Sequence, residues 1–448
     1  MTRRFRVRRS GPLRGALRVP GDKSVGHRTL FFGALAEGRS HVSGLSGGLD
    51  NLSTAQILRD MGVAIRIEDD RAEIDGVGLD GLRIPKGDLD CGNSGTTMRL
   101  MAGLLVAQRF GTRLIGDESL TRRPMRRVVE PLRARGGHIA GRSGKKPGEV
   151  YPPLAVAPLV EGEELSALDY ASPIASAQVK SALLLSGLYA SGPTSVAEPV
   201  VSRDHTERMM VALGVPLSTT GSHVVLDPRA WERKWSGFEW EVPGDLSSAA
   251  FVIAAALLVP GSEVRIERVG INPTRTGILD ALRAMRADVT VVPKGDVAGA
   301  EPIGDVIVRH GRIGPGRTGG ELLTRMIDEV PAFCAIGVAA QGRTDVRDAE
   351  ELRGKESDRI AASARVLRAF GADCTELADG VHVHGPTELG GAEVASEGDH
   401  RIAMMAAVLG LASEGESVVD DVACVDTSFP GFASLLASLG ASIEVEDA

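Results

Sequence analysis

Seven cations and two carboxylates have the types and spacing that can do chemistry in this sequence. Lys23, Arg28 and Arg401 stand at the starts of Ala/Leu-rich helical runs, Arg123 and Arg203 on loops after strand patterns, and Lys355 and Arg359 in Lys355-Glu356-Ser357-Asp358-Arg359. A cation at a helix N-terminus opposes the macrodipole, and costs stability unless an anion sits between it and the exposed N–H groups. Neighbouring Ser, Thr, Asn and Asp residues are ordinary caps: Ser24, Asn93-Ser94-Gly95-Thr96-Thr97, Ser176-Ala177-Gln178 and Asp245-Leu246-Ser247-Ser248. Caps do not account for the cations. Together they predict a site for a small anion carrying more than one phosphate or carboxylate. Lys355 and Arg359, four residues apart, are expected on one face of a helix. Asp328 and Glu356 share the same ends of the repeated pattern. Beside cations a carboxylate stays ionised and can act as a base, so one can take a proton while the other delivers one. Sequence logic alone does not divide those roles.

The elements that must position these groups form a six-fold repeat. A helical segment ending in Leu-x-x-x-Gly-Ala/Val recurs at Leu58 to Val63, Leu132 to Gly137, Met210 to Val215, Leu282 to Ala287, Leu367 to Ala372 and Leu436 to Ala441. A second, Ala/Leu-rich helix alternates with it and ends in a turn carrying Gly38, Gly111, Gly192, Gly261, Gly342 or Gly415, at intervals of 73, 81, 69, 81 and 73 residues. Around Phe251 to Leu257 that helix has no polar face, so it is expected to be buried all round. Val19-Pro20-Gly21-Asp22 recurs as Val242-Pro243-Gly244-Asp245, which reads as two strands of one hinge. The expected fold class is α/β, with residues 22–243 as one three-unit domain and residues 1–21 plus 244–448 as the other.

Composition narrows the partners. Against 51 basic side chains stand 59 acidic ones, a net charge of −8 that disfavours a general polyanion surface. The 3 Trp, 3 Tyr and 10 Phe in 448 residues argue against a stacking platform for single-stranded nucleic acid. No apolar run approaches the ~18 residues of a membrane span. The arginine-rich start, Met1 to Ser10, reads as an alternating edge strand with exposed arginines rather than a nucleic-acid arm or a secretory signal. Four cysteines without C-x-x-C pairing fit a reduced cytosol and neither a zinc site nor a disulfide framework.

From Gly21-Asp22-Lys23-Ser24 to Ser428-Phe429-Pro430 the sequence resembles the 5-enolpyruvylshikimate-3-phosphate synthase family of enolpyruvyl transferases. The most specific pieces are Gly92-Asn93-Ser94-Gly95-Thr96-Thr97-Met98-Arg99, Lys355-Glu356-Ser357-Asp358-Arg359 and Asp399-His400-Arg401. The resemblance implies two similar domains, each three copies of a βαβαββ unit in an inside-out α/β arrangement, closing on substrates. It implies transfer of the enolpyruvyl group of phosphoenolpyruvate to the 5-hydroxyl of shikimate 3-phosphate, with release of phosphate. Carried over residue by residue, Lys23, Ser24, Arg28, Ser176, Gln178, Ser202, Arg203, Asp328 and Lys355 would bind shikimate 3-phosphate. Lys23, Gly95, Thr96, Arg123, Gln178, Arg359 and Arg401 would bind phosphoenolpyruvate. Asp328 would accept the hydroxyl proton, and Glu356, assisted by Lys355, would protonate the methylene carbon. No cofactor and no metal are implied, and a cytoplasmic monomer is expected, with glyphosate as a competitive inhibitor.

Gly21-Asp22-Lys23, Ser176-Ala177-Gln178-Val179-Lys180, Arg203-Asp204-His205-Thr206-Glu207 and Asn272-Pro273-Thr274-Arg275 look like signatures of the family's glyphosate-tolerant class II branch, although Gly95 is retained. The rival with the same fold, an enolpyruvyl transferase acting on UDP-N-acetylglucosamine, would need a reactive cysteine on a loop, which none of the four offers. A non-catalytic anion-binding scaffold would not need Asp328 and Glu356. Gly141-Arg142-Ser143-Gly144-Lys145-Lys146 has the wrong glycine spacing for a phosphate loop.

Overall fold

The computed structural model describes residues 3–144 and 146–447, so Met1 and Thr2 of the arginine-rich start and Lys145 of the Gly141–Lys146 run lie outside the described residues. The described chain separates into two compact units. One comprises residues 1–22, 243–296 and 302–448, and the other residues 23–242 and 297–301. Each holds three of six four-stranded sheets.

All six sheets have one topology. Counting strands along the βαβαββ unit, the first pairs parallel with the second, the second antiparallel with the fourth, and the third lies at the far edge beside the fourth. A parallel pair cannot be joined by a tight turn. In the four sheets whose first and second strands follow one another along the chain, the apolar inner helix connects them, and in all six an amphipathic outer helix joins the second to the third. The inner helices are Lys23–Leu35, Gly95–Leu105 and Ala177–Gly187 in one unit, and Leu246–Leu258, Val330–Gly337 and His400–Ala412 in the other. All thirteen residues of Leu246–Leu258 are buried, as its lack of a polar face requires. In the other unit Gly103 permits two inner helices to touch: a Cβ there would lie 2.1 Å from the Ala182 carbonyl oxygen.

Three sheets take a strand from far along the chain, and this closes each unit on itself. Glu239–Glu241 is the first strand beside Glu37–Ser43, with Trp240 opposite Val42. Arg14–Leu17 is the first strand beside Glu263–Gly270. Arg3–Arg8 is the fourth strand of the last sheet, where Val7 lies opposite both Ser417 and Ile443. The expected edge strand is thus an interior one. Its alternation is as read, with Phe5 and Val7 buried, but its arginines cross-pair with acids on both flanking segments: Arg4 and Arg6 with Glu446, Arg8 with Glu416, Arg3 with Asp426. Those acids, not a polyanion, account for the arginines.

Candidate functional site

In the unit of residues 23–242 the polar residues gather at the N-termini of its inner helices. Lys23 opens the first helix, and its Nζ lies 2.8 Å from Asp50 Oδ2, so the cation that opposes the dipole is held by a carboxylate from the adjoining outer helix. Arg28, one turn later, is 3% exposed. Its Nη1 donates to the Ser24 carbonyl at 2.8 Å, its Nε to Thr206 Oγ1 at 2.6 Å and its Nη2 to Ser181 Oγ at 2.7 Å. It braces the backbone behind Ser24.

Ser94 caps the second inner helix by accepting from Thr97 N–H at 3.1 Å. The next residue is Gly95, where a Cβ would fall 2.6 Å from Arg99 Nη1 and 3.5 Å from an Arg123 guanidinium nitrogen. Two guanidinium groups thus crowd one helix start. Arg99 donates to the Gly95 carbonyl at 3.1 Å and to Gln178 Oε1 at 2.9 Å, while Gln178 Nε2 donates to Thr96 Oγ1 at 2.9 Å. Arg123 is oriented by Asn93 Oδ1 at 2.6 Å. Gly95, Thr96, Arg123 and Gln178 are therefore brought together, with Arg99 among them. Such an array of N–H groups and guanidinium groups can hold a phosphate or carboxylate.

Ser176 caps the third inner helix, and its backbone N–H donates to Glu198 Oε1 at 2.7 Å. The Ser202 hydroxyl lies 2.7 Å from Glu198 Oε2. One carboxylate thus ties the two serines together, although they lie on separate loops. Lys180 is buried beneath them against Glu198 and Glu207. Arg203 is partly exposed on the same loop as Ser202.

The other unit, residues 243–296 and 302–448 with the N-terminal segment, carries the carboxylates. Arg359 is 2% exposed and holds three of them: Glu356 Oε2 at 2.6 Å, Asp399 Oδ2 at 2.8 Å and Asp328 Oδ1 at 3.5 Å. Burial alone lowers the Arg359 pKa, and the three acids outweigh it, so the guanidinium stays charged. Burial alone raises the Asp399 pKa, and Arg359 outweighs it, holding the carboxyl below the usual range. Asp399 also caps the helix of Arg401, accepting from its backbone N–H at 2.9 Å. Lys355 does not share a helical face with Arg359. The helix begins at Arg359, and Lys355 follows a 3-10 turn, Glu350–Gly354, with its Nζ 2.7 Å from Glu351 Oε1. Asp358 caps that helix at Ala361 N–H, which forces the chain to break before it and leaves Lys355 and Glu356 on the loop.

No group of His, Cys, Asp and Glu able to hold a metal ion occurs among the described residues. Cys91, Cys334 and Cys374 are buried and Cys424 is half-buried. Burial pushes the Cys334 and Cys424 thiols up to about 12. A poised thiolate nucleophile needs the opposite shift, so the UDP-N-acetylglucosamine reading loses its key residue.

Comparison with known proteins identifies the family. The family model described as EPSP synthase (3-phosphoshikimate 1-carboxyvinyltransferase) matches residues 7–436. The chain belongs to the EPSP synthase family. It is 49% identical to the 3-phosphoshikimate 1-carboxyvinyltransferase of Geobacter sulfurreducens, over 95% of this chain and 96% of that one. It is 46% identical to that of Brevibacillus brevis, over 97% and 99%. The solved EPSP synthase of Acinetobacter baumannii superposes with a TM-score of 0.87 at 41% identity, covering 100% of both chains. The two-unit, six-sheet α/β architecture is thus that of the EPSP synthase family.

Sequence reasoning passed over Arg99, Asp50, Glu198 and Asp399 as members of these clusters. Arg99 and Asp399 stood inside quoted motifs and could have been found by asking which side chain a cap or a glycine makes room for. Asp50 and Glu198 carry no local signal, because only the tertiary fold brings them to Lys23 and Ser176.

Proposed function

We infer that this chain is a 3-phosphoshikimate 1-carboxyvinyltransferase, joining the enolpyruvyl group of phosphoenolpyruvate to the 5-hydroxyl of shikimate 3-phosphate in the shikimate pathway. Membership of the EPSP synthase family over nearly the whole chain supports the reaction. The observation that carries the chemistry is the convergence of Asp328 and Glu356 on one buried guanidinium, Arg359. In this reading Asp328 accepts the 5-hydroxyl proton as the oxygen attacks the enol carbon, and Glu356 delivers a proton to the methylene carbon with Lys355 beside it. The resulting tetrahedral intermediate then loses phosphate and a methyl proton, restoring the vinyl group.

Ser24, Arg28, Ser176, Gln178, Ser202 and Arg203 hold shikimate 3-phosphate, and Lys23 serves both substrates. Gly95, Thr96, Arg123, Gln178, Arg359 and Arg401 hold phosphoenolpyruvate. Fixed cations stabilise the charge that develops, without reorganising as it forms. Glyphosate, which carries a phosphonate and a carboxylate, competes with phosphoenolpyruvate for the same cations. The reading needs no metal and no cofactor, and takes the enzyme to be a cytoplasmic monomer.

Release of inorganic phosphate, assayed with both substrates, tests the function. Turnover is expected only when both are present. Asp328→Ala and Glu356→Ala should each remove about two to four orders of magnitude of it, with the circular dichroism of the wild type. Turnover at the wild-type rate in either variant would remove that residue from the mechanism. Binding of both substrates by the wild type without phosphate release would return the scaffold reading.

A further inference from the structure

Beneath Ser176 and Ser202 lies a set of charges to which the reaction gives no task. Lys180 Nζ stands 2.8 Å from Glu198 Oε2 and 2.7 Å from Glu207 Oε1, and the three side chains are 3%, 1% and 5% exposed. One ammonium between two carboxylates is a net negative charge taken out of water, an arrangement that apolar side chains of the same volume would often better for stability. Burial raises the Glu207 carboxyl and Lys180 offsets this only in part, while Glu207 Oε2 finds no hydrogen-bond partner.

Glu198 shows what the arrangement acts on. Its oxygens accept from Ser176 N–H at 2.7 Å, from Ser202 N–H at 3.4 Å, from the Ser202 hydroxyl at 2.9 and 2.7 Å, and from Lys180. A serine hydroxyl has one hydrogen, and here it is spent on Glu198. A phosphate dianion is an acceptor only, so the Ser202 hydroxyl can serve it only by turning that hydrogen away from Glu198. How readily it turns depends on how well Glu198 is neutralised without it, and Lys180 is the cation in contact. A second network locks the same helices one residue along, since Arg28 bonds both Ser181 and Thr206. The consecutive pairs Lys180-Ser181 and Thr206-Glu207 therefore meet in fixed register.

We propose that Lys180 is a positioning residue for the phosphate of shikimate 3-phosphate: by neutralising Glu198 it releases the Ser202 hydroxyl to donate to the phosphate. Glu207 steadies the lysine from its other side. The proposal rests on the function inferred above, in which Ser176 and Ser202 bind that substrate.

Titration calorimetry with shikimate 3-phosphate, paired with KM for each substrate and a thermal melt, tests it. Lys180→Met is expected to weaken shikimate 3-phosphate binding by about tenfold or more, the scale of a charge-assisted hydrogen bond, while KM for phosphoenolpyruvate stays within about twofold. Lys180→Arg should restore most of the loss, and Glu207→Gln should bind close to wild type because Glu198 keeps its cation. The triple variant Lys180→Met/Glu198→Gln/Glu207→Gln leaves no stranded charge, which keeps the test readable where the single variant unfolds. It should recover most of the affinity, since a neutral residue 198 no longer needs the lysine. Unchanged binding in Lys180→Met, an equal rise in both KM values, or a triple variant no better than the single one would overturn the proposal. A wild-type protein that does not bind shikimate 3-phosphate would instead overturn the function and take this proposal with it.

Discussion

Gly95 shows how much of the site rests on the absence of one methyl group. A Cβ there would meet Arg99 Nη1 at 2.6 Å, a distance real Cβ atoms essentially never show. The clash is with the end of a long side chain rather than with backbone, so the fold can yield while the site cannot. To make room, Arg99 must leave the Gly95 carbonyl and Gln178 Oε1, and Gln178 then loses the partner that orients its amide toward Thr96. Gly95→Ala should therefore raise KM for phosphoenolpyruvate by about tenfold or more, the cost of one or two hydrogen bonds from a charged donor. The melting temperature should hardly move. An unchanged KM would show that Arg99 has a second position equally good for the substrate. At this scale the sequence revealed the cations well, because Lys and Arg at helix starts contradict the dipole. Their counter-charges stayed hidden. Asp50, Glu198 and Asp399 reach Lys23, Ser176 and Arg359 across separations of sequence that only packing sets.

At the scale of elements, the repeat was legible because a single backbone device recurs. Each outer helix ends with the residue after its final turn bonded back five positions, as in Val63 N–H to Leu58 O at 3.1 Å and Ala372 N–H to Leu367 O at 2.9 Å. The residue before the donor must be left-handed, which is why Gly62, Gly136, Gly214, Gly371 and Gly440 recur, with φ between 77° and 98°. The fourth unit breaks the pattern. Arg286 occupies that position at φ 57°, with Ala287 N–H bonded to Leu282 O at 3.0 Å, so the motif forms despite the side chain. A left-handed L-residue costs about 1–2 kcal/mol, of which the greater chain entropy of an unfolded glycine takes back part. Arg286→Gly should accordingly stabilise the protein by about 0.5–1 kcal/mol, read as a shifted denaturant midpoint at constant slope. A loss of stability would mean that the exposed Arg286 side chain contributes more than its backbone costs. The turn glycines divide differently. Gly38, Gly261, Gly342 and Gly415 have positive φ, whereas Gly111 and Gly192 do not, and a Cβ at Gly192 would press on Ala167 at 2.9 Å. One sequence pattern thus has two physical causes.

For the whole molecule, the duplication was readable and the strand exchange was not. Nothing local in Arg3–Arg8 tells that it will lie between strands more than 400 residues away. What the repeated Pro-Gly-Asp segments do tell is where the chain crosses itself. Asp22 N–H bonds the Pro243 carbonyl at 2.7 Å, Asp245 N–H bonds Pro20 at 2.9 Å, and Gly21 pairs with Gly244. The crossing carries a charge cost. Asp22, Asp245 and Glu329 lie 3.8, 3.1 and 3.5 Å from the one buried guanidinium of Arg275, with Arg401 acting on Asp245 from the neighbouring inner helix. Burial, and then Asp22, push the Asp245 carboxyl up to about 6. Its ordinary value in an unfolded chain is about 4, so the folded protein binds this proton more tightly. Stability from the group is present below pH ~4 and is lost as pH rises through about 6. The full difference is roughly 3 kcal/mol, of which about 1 kcal/mol falls between pH 5 and pH 7.5. Asp399 works in the opposite sense, because its depressed carboxyl gives stability that is lost only as pH falls below about 4. The two windows do not overlap above pH 5. Urea unfolding of wild type and Asp245→Asn at pH 5 and pH 7.5 isolates the first, since every other titrating group is common to both proteins. The variant should gain on the wild type by about 1 kcal/mol on going to pH 7.5, whatever the loss of the cap at Ser247 costs at both values. A constant difference would show that Asp245 stays ionised throughout, with Arg275 neutralising it in preference to Asp22 and Glu329.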